Sequence, residues 1–394
     1  MDRCLALAKL GMGSVAPNPM VGAVLVHQNK IIGEGYHQKY GEAHAEVNCI
    51  QSVKSSNQAL IAASALYVSL EPCAHFGKTP PCADLIIKHK IPKVVIGCRD
   101  SFAQVNGKGI EKLKEAGIEV MTGVLEKECL ELNKRFFTFY SLHRPYITLK
   151  WAQTGDGKIA SLPINPSGGG TASIQGRIEP NTTFNNDFPK RQGVAANSLP
   201  FGQGWGGAVR LLISNEYTNR LVHRWRSEEM AIVVGTNTAL FDDPELTTRL
   251  WPGANPIRIV IDMHLGLPKT LKLFDGSTPT IVFNLNQHTL PDKASSINRE
   301  QAGIGYYQLT EGPNLIRQMM HALYDLNIQS VLVEGGANLL QSFIDEGLWD
   351  EARVITNEKL LPGSGLAAPI LKNEVLAGSE QIFSDMLHLY KQKV

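Results

Sequence analysis

Residues 41–47 read Gly-Glu-Ala-His-Ala-Glu-Val, and residues 71–82 read Glu-Pro-Cys-Ala-His-Phe-Gly-Lys-Thr-Pro-Pro-Cys. The first stretch supplies one imidazole, His44, and the second supplies two thiols, Cys73 and Cys82. One imidazole and two thiolates make a three-ligand zinc site with an open fourth position, which is the arrangement of catalytic zinc. The two stretches therefore predict a catalytic zinc site in the first part of the chain, whose order of strands and helices indicates an α/β domain.

A carboxylate lies beside the predicted ligands. Glu46 follows His44 by two positions, near the start of a helix expected there. His-x-Glu followed by Pro-Cys and a second Cys is the signature of zinc deaminases, in which the Glu is the general acid and base and zinc makes hydroxide available near neutral pH. Eight residues separate Cys73 and Cys82, where that signature has two. The pattern predicts hydrolysis of an amino group from a small nitrogen heterocycle, with Glu46 as the catalytic residue and one zinc per chain.

Two less specific interpretations stay open for these residues. A structural zinc site needs a fourth protein ligand, which His75 could supply. The cysteines could also be buried apolar residues without a metal, as we expect for Cys4, Cys49, Cys98 and Cys129.

Composition narrows the class of protein. The chain has 394 residues, enough for two or three domains, and 43% of them are hydrophobic. A net charge of +1 does not suggest a nucleic-acid partner. No apolar stretch of about 18 residues suggests a membrane span, and the N-terminus lacks the pattern of a signal peptide. Six cysteines are too few for a disulfide framework, so we expect a cytoplasmic protein.

The pattern of apolar residues divides the chain near residue 143. In residues 1–143, short apolar runs predict strands and the intervening segments predict helices, in an order that indicates a layered α/β domain with a largely parallel half-sheet. The predicted strands are 21–26, 31–36, 65–70 and 94–97, and the predicted helices begin near residues 44, 81 and 109.

Residues 144–394 predict a second α/β domain. Its predicted strands are 146–151, 231–234, 257–261, 280–283 and 330–333, with helices at 217–229 and from 337. Residues 163–208 have no periodicity and are rich in Gly, Asn and Pro, so we expect an irregular, disordered insertion there.

Three motifs carry a family resemblance. Residues 16–22 (Ala-Pro-Asn-Pro-Met-Val-Gly), 41–47 and 71–82 resemble the bifunctional riboflavin-biosynthesis deaminase/reductases, in which the wide cysteine spacing is characteristic. The resemblance continues through residues 150–157, 226–249 and 333–340. It implies a cytidine-deaminase-like three-layer α/β/α N-terminal domain and a dihydrofolate-reductase-like α/β C-terminal domain.

The resemblance implies two consecutive reactions. The first is zinc-dependent deamination of 2,5-diamino-6-(5-phosphoribosylamino)pyrimidin-4(3H)-one, a phosphorylated pyrimidine. The second is NADPH-dependent reduction of the ribosyl side chain to ribityl. On the same basis Asn18 contacts the pyrimidine. From their charge and hydroxyl group alone, we expect Lys78 and Thr79 to contact the phosphate of the substrate. No nucleic acid or membrane is implied as a partner, and a homo-oligomer is left open.

The resemblance also implies a reductase site. Its substrate residues are Lys150, Arg226, Leu246, Arg249 and Glu334. Its cofactor residues are Ala152, Leu212, Thr238, Asp242, Gly335, Gly336, Ala337 and Asn338.

The local sequence supports only part of this second site. Residues 330–340 predict a strand, a turn with two glycines and a helix, which suits a phosphate at the helix N-terminus. Taken alone, two adjacent glycines favour a plain tight turn over a phosphate site. The segment lacks Gly-x-Gly-x-x-Gly, so a Rossmann cofactor domain is not indicated. Residues 236–249 suggest a polar loop. Arg226 and Arg249 suggest either a phosphate clamp or solvated side chains.

Two departures from the family pattern keep rival functions open. Arg210 replaces the family's Ser and Leu212 its Trp. One rival is an active deaminase whose second half is inactive or only a binding module, which NADPH consumption would exclude. The other is a nucleic-acid deaminase of the tRNA type, which would need a basic face.

Overall fold

The computed structural model describes residues 1–76, 80–100, 106–160, 212–290 and 302–393. The first part of the chain forms a five-stranded sheet with the order β2-β1-β3-β4-β5. β1 is antiparallel to both of its neighbours, whereas β3, β4 and β5 are parallel. The elements are α1 (Asp2–Ala8), β1 (Gly22–His27), β2 (Lys30–Tyr36), α2 (Ala45–Gln51), β3 (Ala65–Leu70), α3 (Cys82–Lys88), β4 (Lys93–Cys98), α4 (Lys108–Glu115), β5 (Glu119–Thr122), α5 (Glu126–Leu132) and α6 (Lys134–Leu142).

Helices cover both faces of this sheet. One apolar cluster joins α2, α3 and α4 to the central strands, for example through Cys49, Ile86 and Leu113. On the other face, Leu5 of α1 and Leu132 of α5 pack against the strand ends. This gives the three-layer α/β/α arrangement that was expected, because strands buried on both faces need apolar cover on both sides.

The second part of the chain forms a nine-stranded sheet with the order β11-β10-β9-β8-β12-β6-β13-β16-β15. The first seven strands in this order are parallel, and β16 and β15 complete the sheet as antiparallel strands. The elements are β6 (Tyr146–Thr154), β7 (Lys158–Ala160), α7 (Glu216–Glu228), β8 (Ala231–Val234), α8 (Thr236–Asp242), β9 (Ile257–Ile261), β10 (Thr280–Asn284), β11 (Ile304–Gln308), α9 (Leu315–Asp325), β12 (Ser330–Gly335), α10 (Ala337–Asp345), β13 (Glu351–Asn357), β14 (Leu366–Ala367), β15 (Glu374–Ile382) and β16 (Asp385–Gln392).

The parallel strands bring several chain segments to one edge of the sheet. β8 and β12 are neighbours, and each is followed at once by a helix, α8 and α10. The Gly235 amide donates to the Gly335 carbonyl across 3.3 Å, which joins the two turns. Ligands of open α/β sheets bind beyond the carboxyl ends of such strands.

Most predicted elements are present. The prediction of a polar loop over 236–249 is wrong for the first half of this segment, because residues 236–242 form α8, whose Ala239 is buried in the core. Asp242-Asp243-Pro244 is a sequence typical of turns, and it marks the C-terminal end of this helix. The expected insertion at 163–208 lies outside the described residues.

None of the helices in the described ranges has the length and apolar character needed to span a bilayer.

Candidate active sites

The three predicted zinc ligands converge. The Nδ1 atom of His44 lies 3.6 Å from Cys73 Sγ and 3.3 Å from Cys82 Sγ, and the three ligand atoms all lie within 4.8 Å of one another. A nitrogen and a sulfur bound to one tetrahedral zinc are about 3.5 Å apart, given bond lengths of about 2.0–2.1 and 2.3 Å. The donor set and its spacing therefore fit zinc. His75 is not part of this group.

Helix starts and a strand end place these ligands. His44 is the extended N-cap residue of α2, and Cys82 is the first residue of α3. Cys73 follows β3, and its carbonyl accepts a hydrogen bond from the Ala83 amide at 3.1 Å. The Cys82 amide points at Cys73 Sγ from 3.3 Å. A helix N-terminus beside the sulfur favours its thiolate form.

The electrostatics of the pocket suit a proton carrier. Hydrogen bonds from Cys82 and His44 lower the pKa of the Cys73 thiol to about 4. Glu46 is 3% exposed, and burial together with the nearby Cys73 raises its pKa to about 6. Glu46 also hydrogen-bonds the Cys82 side chain. A carboxyl group with a pKa near neutrality can both accept and return a proton.

Glu71 has a role that the sequence did not reveal. This buried carboxylate accepts hydrogen bonds from the Gly107 and Gly109 amides at 3.0 Å and from those of Asp100 and Ile110 at 3.3 Å. It therefore fastens the start of α4 to the segment that leads to Cys73. Its only sequence signal was its place beside Pro72-Cys73.

Asn18 is held by His37, a residue that the sequence analysis did not identify as part of the site. His37 Nδ1 lies 3.0 Å from the Ala43 carbonyl, and its Nε2 lies 3.1 Å from Asn18 Nδ2. Because a carbonyl only accepts, Nδ1 carries the proton and Nε2 accepts from the Asn18 amide. Burial lowers the pKa of His37 and keeps its ring neutral. This network assigns the Asn18 oxygen Oδ1 as the remaining acceptor of the amide group.

Lys78 and Thr79 lie outside the described residues, so their predicted phosphate contact stays a prediction.

The predicted reductase residues Arg226 and Glu334 form an ion pair. Nε and Nη2 of Arg226 each donate to one oxygen of Glu334 at 2.7 Å, and Nη1 donates to the Thr247 carbonyl at 3.1 Å. Burial opposes ionisation of Glu334, but the charges of Arg226 and Lys150 outweigh it and lower the pKa to about 2. Burial lowers the pKa of Lys150, and Glu334 partly offsets this effect.

The other predicted substrate residues follow α8. Leu246 is buried and has a positive φ of 54°, a conformation that L residues rarely adopt outside constrained sites. Arg249 is exposed and lies 3.4 Å from Glu245. His223, which the sequence did not indicate, is buried between these groups, and burial with the charges of Arg226 and Arg249 lowers its pKa to about 4.

The predicted cofactor residues lie mostly along the shared strand edge. Gly335 ends β12, Gly336 is the N-cap of α10 with a φ of 72°, and Ala337 and Asn338 open that helix. A Cβ atom on Gly335 would lie 2.8 Å from Thr238 Cγ2, so a side chain at this position would force Thr238 of α8 to move. Asp242 is the last residue of α8 and Ala152 lies on β6. Leu212 is 80% exposed. It precedes Ile213, whose carbonyl accepts a hydrogen bond at 2.9 Å from Asn357 Nδ2 at the carboxyl end of β13.

Family models match both parts of the chain. Residues 1–98 match the cytidine and deoxycytidylate deaminase zinc-binding region. Residues 202–376 match the RibD C-terminal domain. The zinc-binding match covers His44, Cys73 and Cys82, and the second match covers the β8–β12 edge.

Curated relatives align over nearly the whole chain. The riboflavin biosynthesis protein RibD of Aquifex aeolicus is 37% identical over 369 residues, which cover 93% of this chain and 88% of the relative. The RibD protein of Bacillus amyloliquefaciens is 35% identical over 394 residues, covering 99% and 90%.

Solved structures give the same result. The diaminohydroxyphosphoribosylaminopyrimidine deaminase/5-amino-6-(5-phosphoribosylamino)uracil reductase of Thermotoga maritima aligns with a TM-score of 0.77 and 31% identity, covering 100% of this chain and 97% of that one. RibD of Acinetobacter baumannii aligns with a TM-score of 0.75 and 28% identity, covering 99% and 97%. Because both halves are matched together, a lone deaminase with a binding module and a nucleic-acid deaminase are not favoured. The chain belongs to the RibD family of riboflavin-biosynthesis proteins, and it is both a zinc-dependent deaminase and a reductase.

Proposed function

We propose that the N-terminal half deaminates 2,5-diamino-6-(5-phosphoribosylamino)pyrimidin-4(3H)-one with one zinc per chain. The observation that carries this proposal is the convergence of His44, Cys73 and Cys82 beside the buried Glu46. A zinc ion held by these three residues supplies a hydroxide nucleophile near neutral pH.

The chain's own residues handle the proton and the ring. Glu46, whose pKa is raised by burial to about 6, takes a proton from the attacking water and passes it to the ring nitrogen and the departing ammonia. Asn18, whose Nδ2 is engaged by His37, offers Oδ1 to an N–H group of the pyrimidine. Lys78 and Thr79 receive the phosphate, because an ammonium and a hydroxyl suit an anionic oxygen.

We further propose that the C-terminal half uses NADPH to reduce the ribosyl group to ribityl. The glycine turn at 335–336 lets a pyrophosphate approach the backbone, and the first amides of α10 are free to donate to it. Thr238 and Asp242 of α8 border the same cofactor, and Ala152 and Leu212 complete the proposed cofactor set.

The charged cluster receives the substrate of this second reaction. Arg249 is exposed and its guanidinium can bind a phosphate. Arg226 is engaged with Glu334, so we assign it to holding that carboxylate towards the sugar. Lys150 and Leu246 line the remaining sides of the proposed pocket.

We also propose a boundary between the two functional units of the chain near residue 143, between α6 and β6. A homo-oligomer and a cytoplasmic location remain predictions from the sequence and its resemblance.

A coupled assay tests the proposed function. The purified chain is given the phosphorylated diaminopyrimidine, and ammonia release and NADPH oxidation are followed separately. We expect ammonia release without NADPH, and NADPH oxidation only after deamination. NADPH oxidation with no ammonia release would contradict the order of the two steps. Ammonia release with no reduction at any NADPH concentration would contradict the proposed NADPH-dependent reduction.

A further inference from the structure

The loop that precedes Asn18 is docked on the C-terminal half. A Cβ atom on Gly13, whose φ is 80°, would lie 2.6 Å from the Ser227 carbonyl of α7. Ala16 packs against the apolar cluster of the second sheet. The Pro17 carbonyl accepts a hydrogen bond from Gln329 Nε2 at 2.7 Å. Three contacts within a few residues therefore tie this loop to the other half of the chain.

Gln329 is fixed on its own side of this contact. It immediately precedes β12, its side chain is 3% exposed, and its carbonyl accepts from the Tyr146 amide at 2.8 Å. Its own amide lies 3.3 Å from Met230 Sδ. Both main-chain groups of Gln329 are therefore engaged. Its side chain also hydrogen-bonds Tyr140 of α6, so two contacts restrain the amide group that donates to Pro17.

The Pro17 carbonyl belongs to the peptide bond with Asn18, the residue that we assign to binding the pyrimidine. Asn18 follows Pro17, and its amide nitrogen donates to the Val15 carbonyl at 2.9 Å. Its side chain meets His37 on the deaminase side at 3.1 Å. Asn18 is thus held from two directions, by His37 through its side chain and by the second half through the peptide before it.

We propose that Gln329 is a positioning residue for deamination, acting through the Pro17 carbonyl to fix the loop that carries Asn18. The inference rests on the proposed role of Asn18 as a substrate contact. It assigns to the reductase half a structural part in the deaminase reaction.

The proposal depends on the free-energy cost of leaving a buried carbonyl oxygen without a hydrogen-bond donor. Without its donor, the Pro17 carbonyl would lose a buried hydrogen bond, and the loop would shift to reach water. Such a shift displaces Asn18 but leaves His44, Cys73, Cys82 and Glu46 in place, because other elements hold them. We therefore expect weaker substrate binding, with unchanged zinc binding and unchanged proton transfer by Glu46.

The test uses the full chain with Gln329→Met, which keeps the length of the side chain and removes its hydrogen bonds to the Pro17 carbonyl and to the Tyr140 hydroxyl. We expect the KM for deamination to rise about five- to fiftyfold, the range that one lost buried hydrogen bond implies. The kcat for deamination and the zinc content should stay within about twofold of the parent. Reduction of separately supplied deaminated substrate should be unchanged, which also shows that the second half is folded.

The matched control is Tyr140→Phe. It removes the second hydrogen bond of the Gln329 side chain, which joins it to the Tyr140 hydroxyl of α6, and leaves the donor to the Pro17 carbonyl in place. We expect no change in the deaminase KM. If Tyr140→Phe raises the KM as much as Gln329→Met does, the Pro17 contact is not responsible and the inference is overturned.

A second variant approaches the contact from the deaminase side. Gly13→Ala places a methyl group against the Ser227 carbonyl and should raise the deaminase KM in the same direction. An unchanged KM in both Gln329→Met and Gly13→Ala would overturn the inference while leaving the proposed function intact. Failure of the parent chain to release ammonia would instead overturn the proposed function itself.

Discussion

Arg226 of α7 and Glu334 of β12 face each other in a two-point ion pair, with both hydrogen bonds at 2.7 Å. The pair joins a helix to the strand that leads into the glycine turn. It therefore connects the proposed substrate pocket with the proposed cofactor edge, and neither partner can be replaced without affecting the other.

Replacing Arg226 by lysine should impair reduction although the charge is kept. An ammonium group cannot make the planar two-point contact, so Glu334 loses at least one charge-assisted hydrogen bond. We expect kcat/KM for reduction to fall about ten- to a hundredfold. Arg224→Lys is the control, since Arg224 forms an exposed pair with Glu228 on the same helix. Equal losses in both variants would argue against a special role for the Arg226 pair.

The same pair should make stability depend on acid pH. The pKa of Glu334 is lowered to about 2 from an ordinary value of 4.5. A carboxyl group with a lowered folded-state pKa stabilises the fold above about pH 4.5, and this stabilisation is lost as the pH falls towards 2. Urea unfolding between pH 7 and pH 3 should show the parent chain to be more stable than Glu334→Gln at pH 7. The gap should narrow below pH 4.5, and a constant gap would contradict the lowered pKa.

Zinc binding should depend on Cys82. Cys82→Ser removes one of three ligands, and we expect metal analysis of the purified variant to show most zinc lost together with deamination. Cys49→Ala, which alters a buried cysteine outside the ligand group, should keep its zinc. Full zinc content and activity in Cys82→Ser would remove the basis of the proposed metal site.

Glu46→Gln should separate metal binding from proton transfer. The amide has the size of the carboxyl group but cannot accept the proton, so deamination should fall by at least about 10²–10⁴-fold. Zinc content should not change. Reduction of supplied deaminated substrate is the internal control. Ammonia release near the parent rate would show that another group carries the proton.

A bulky residue at the glycine turn should block the cofactor. Gly336 has a φ of 72° and is the N-cap of α10, so Gly336→Val both strains the turn and fills the space that a phosphate would need. Gly347→Val is the matched control, because Gly347 follows the other end of α10 and also has a positive φ, 63°. We expect titration with NADPH to show binding lost in Gly336→Val and kept in Gly347→Val. Similar binding in both variants would place the pyrophosphate elsewhere.

The metal site was predictable from the sequence because its chemistry needs particular residue types. His44, Cys73 and Cys82 are recognisable by type and order, and the expected convergence is what the structure shows. Many of the central strands of both sheets were also predictable, since runs such as 94–97 and 231–234 are continuously apolar.

Residues that act through tertiary contacts were not predictable. His37, Glu71 and Gln329 have ordinary neighbours in the sequence. The partner of His37, Asn18, lies 19 positions away, and the partner of Gln329, Pro17, lies 312 positions away. The C-terminal strands β13, β15 and β16 were also missed. β13 is buried, but the charged residues Glu351 and Arg353 interrupt its apolar pattern. β15 is mostly exposed, so its residues lack the apolar pattern of a buried strand.

The fastening of Glu71 explains how the wide cysteine spacing is tolerated. Glu71 ties the segment before Cys73 to the start of α4, and the Ala83 amide ties Cys73 to the start of α3. Both anchors lie outside the residues between the two cysteines. The anchors that hold the metal ligands are thus separate from the stretch that carries the proposed phosphate contacts, Lys78 and Thr79. Metal binding and phosphate recognition are therefore assigned to different parts of one segment.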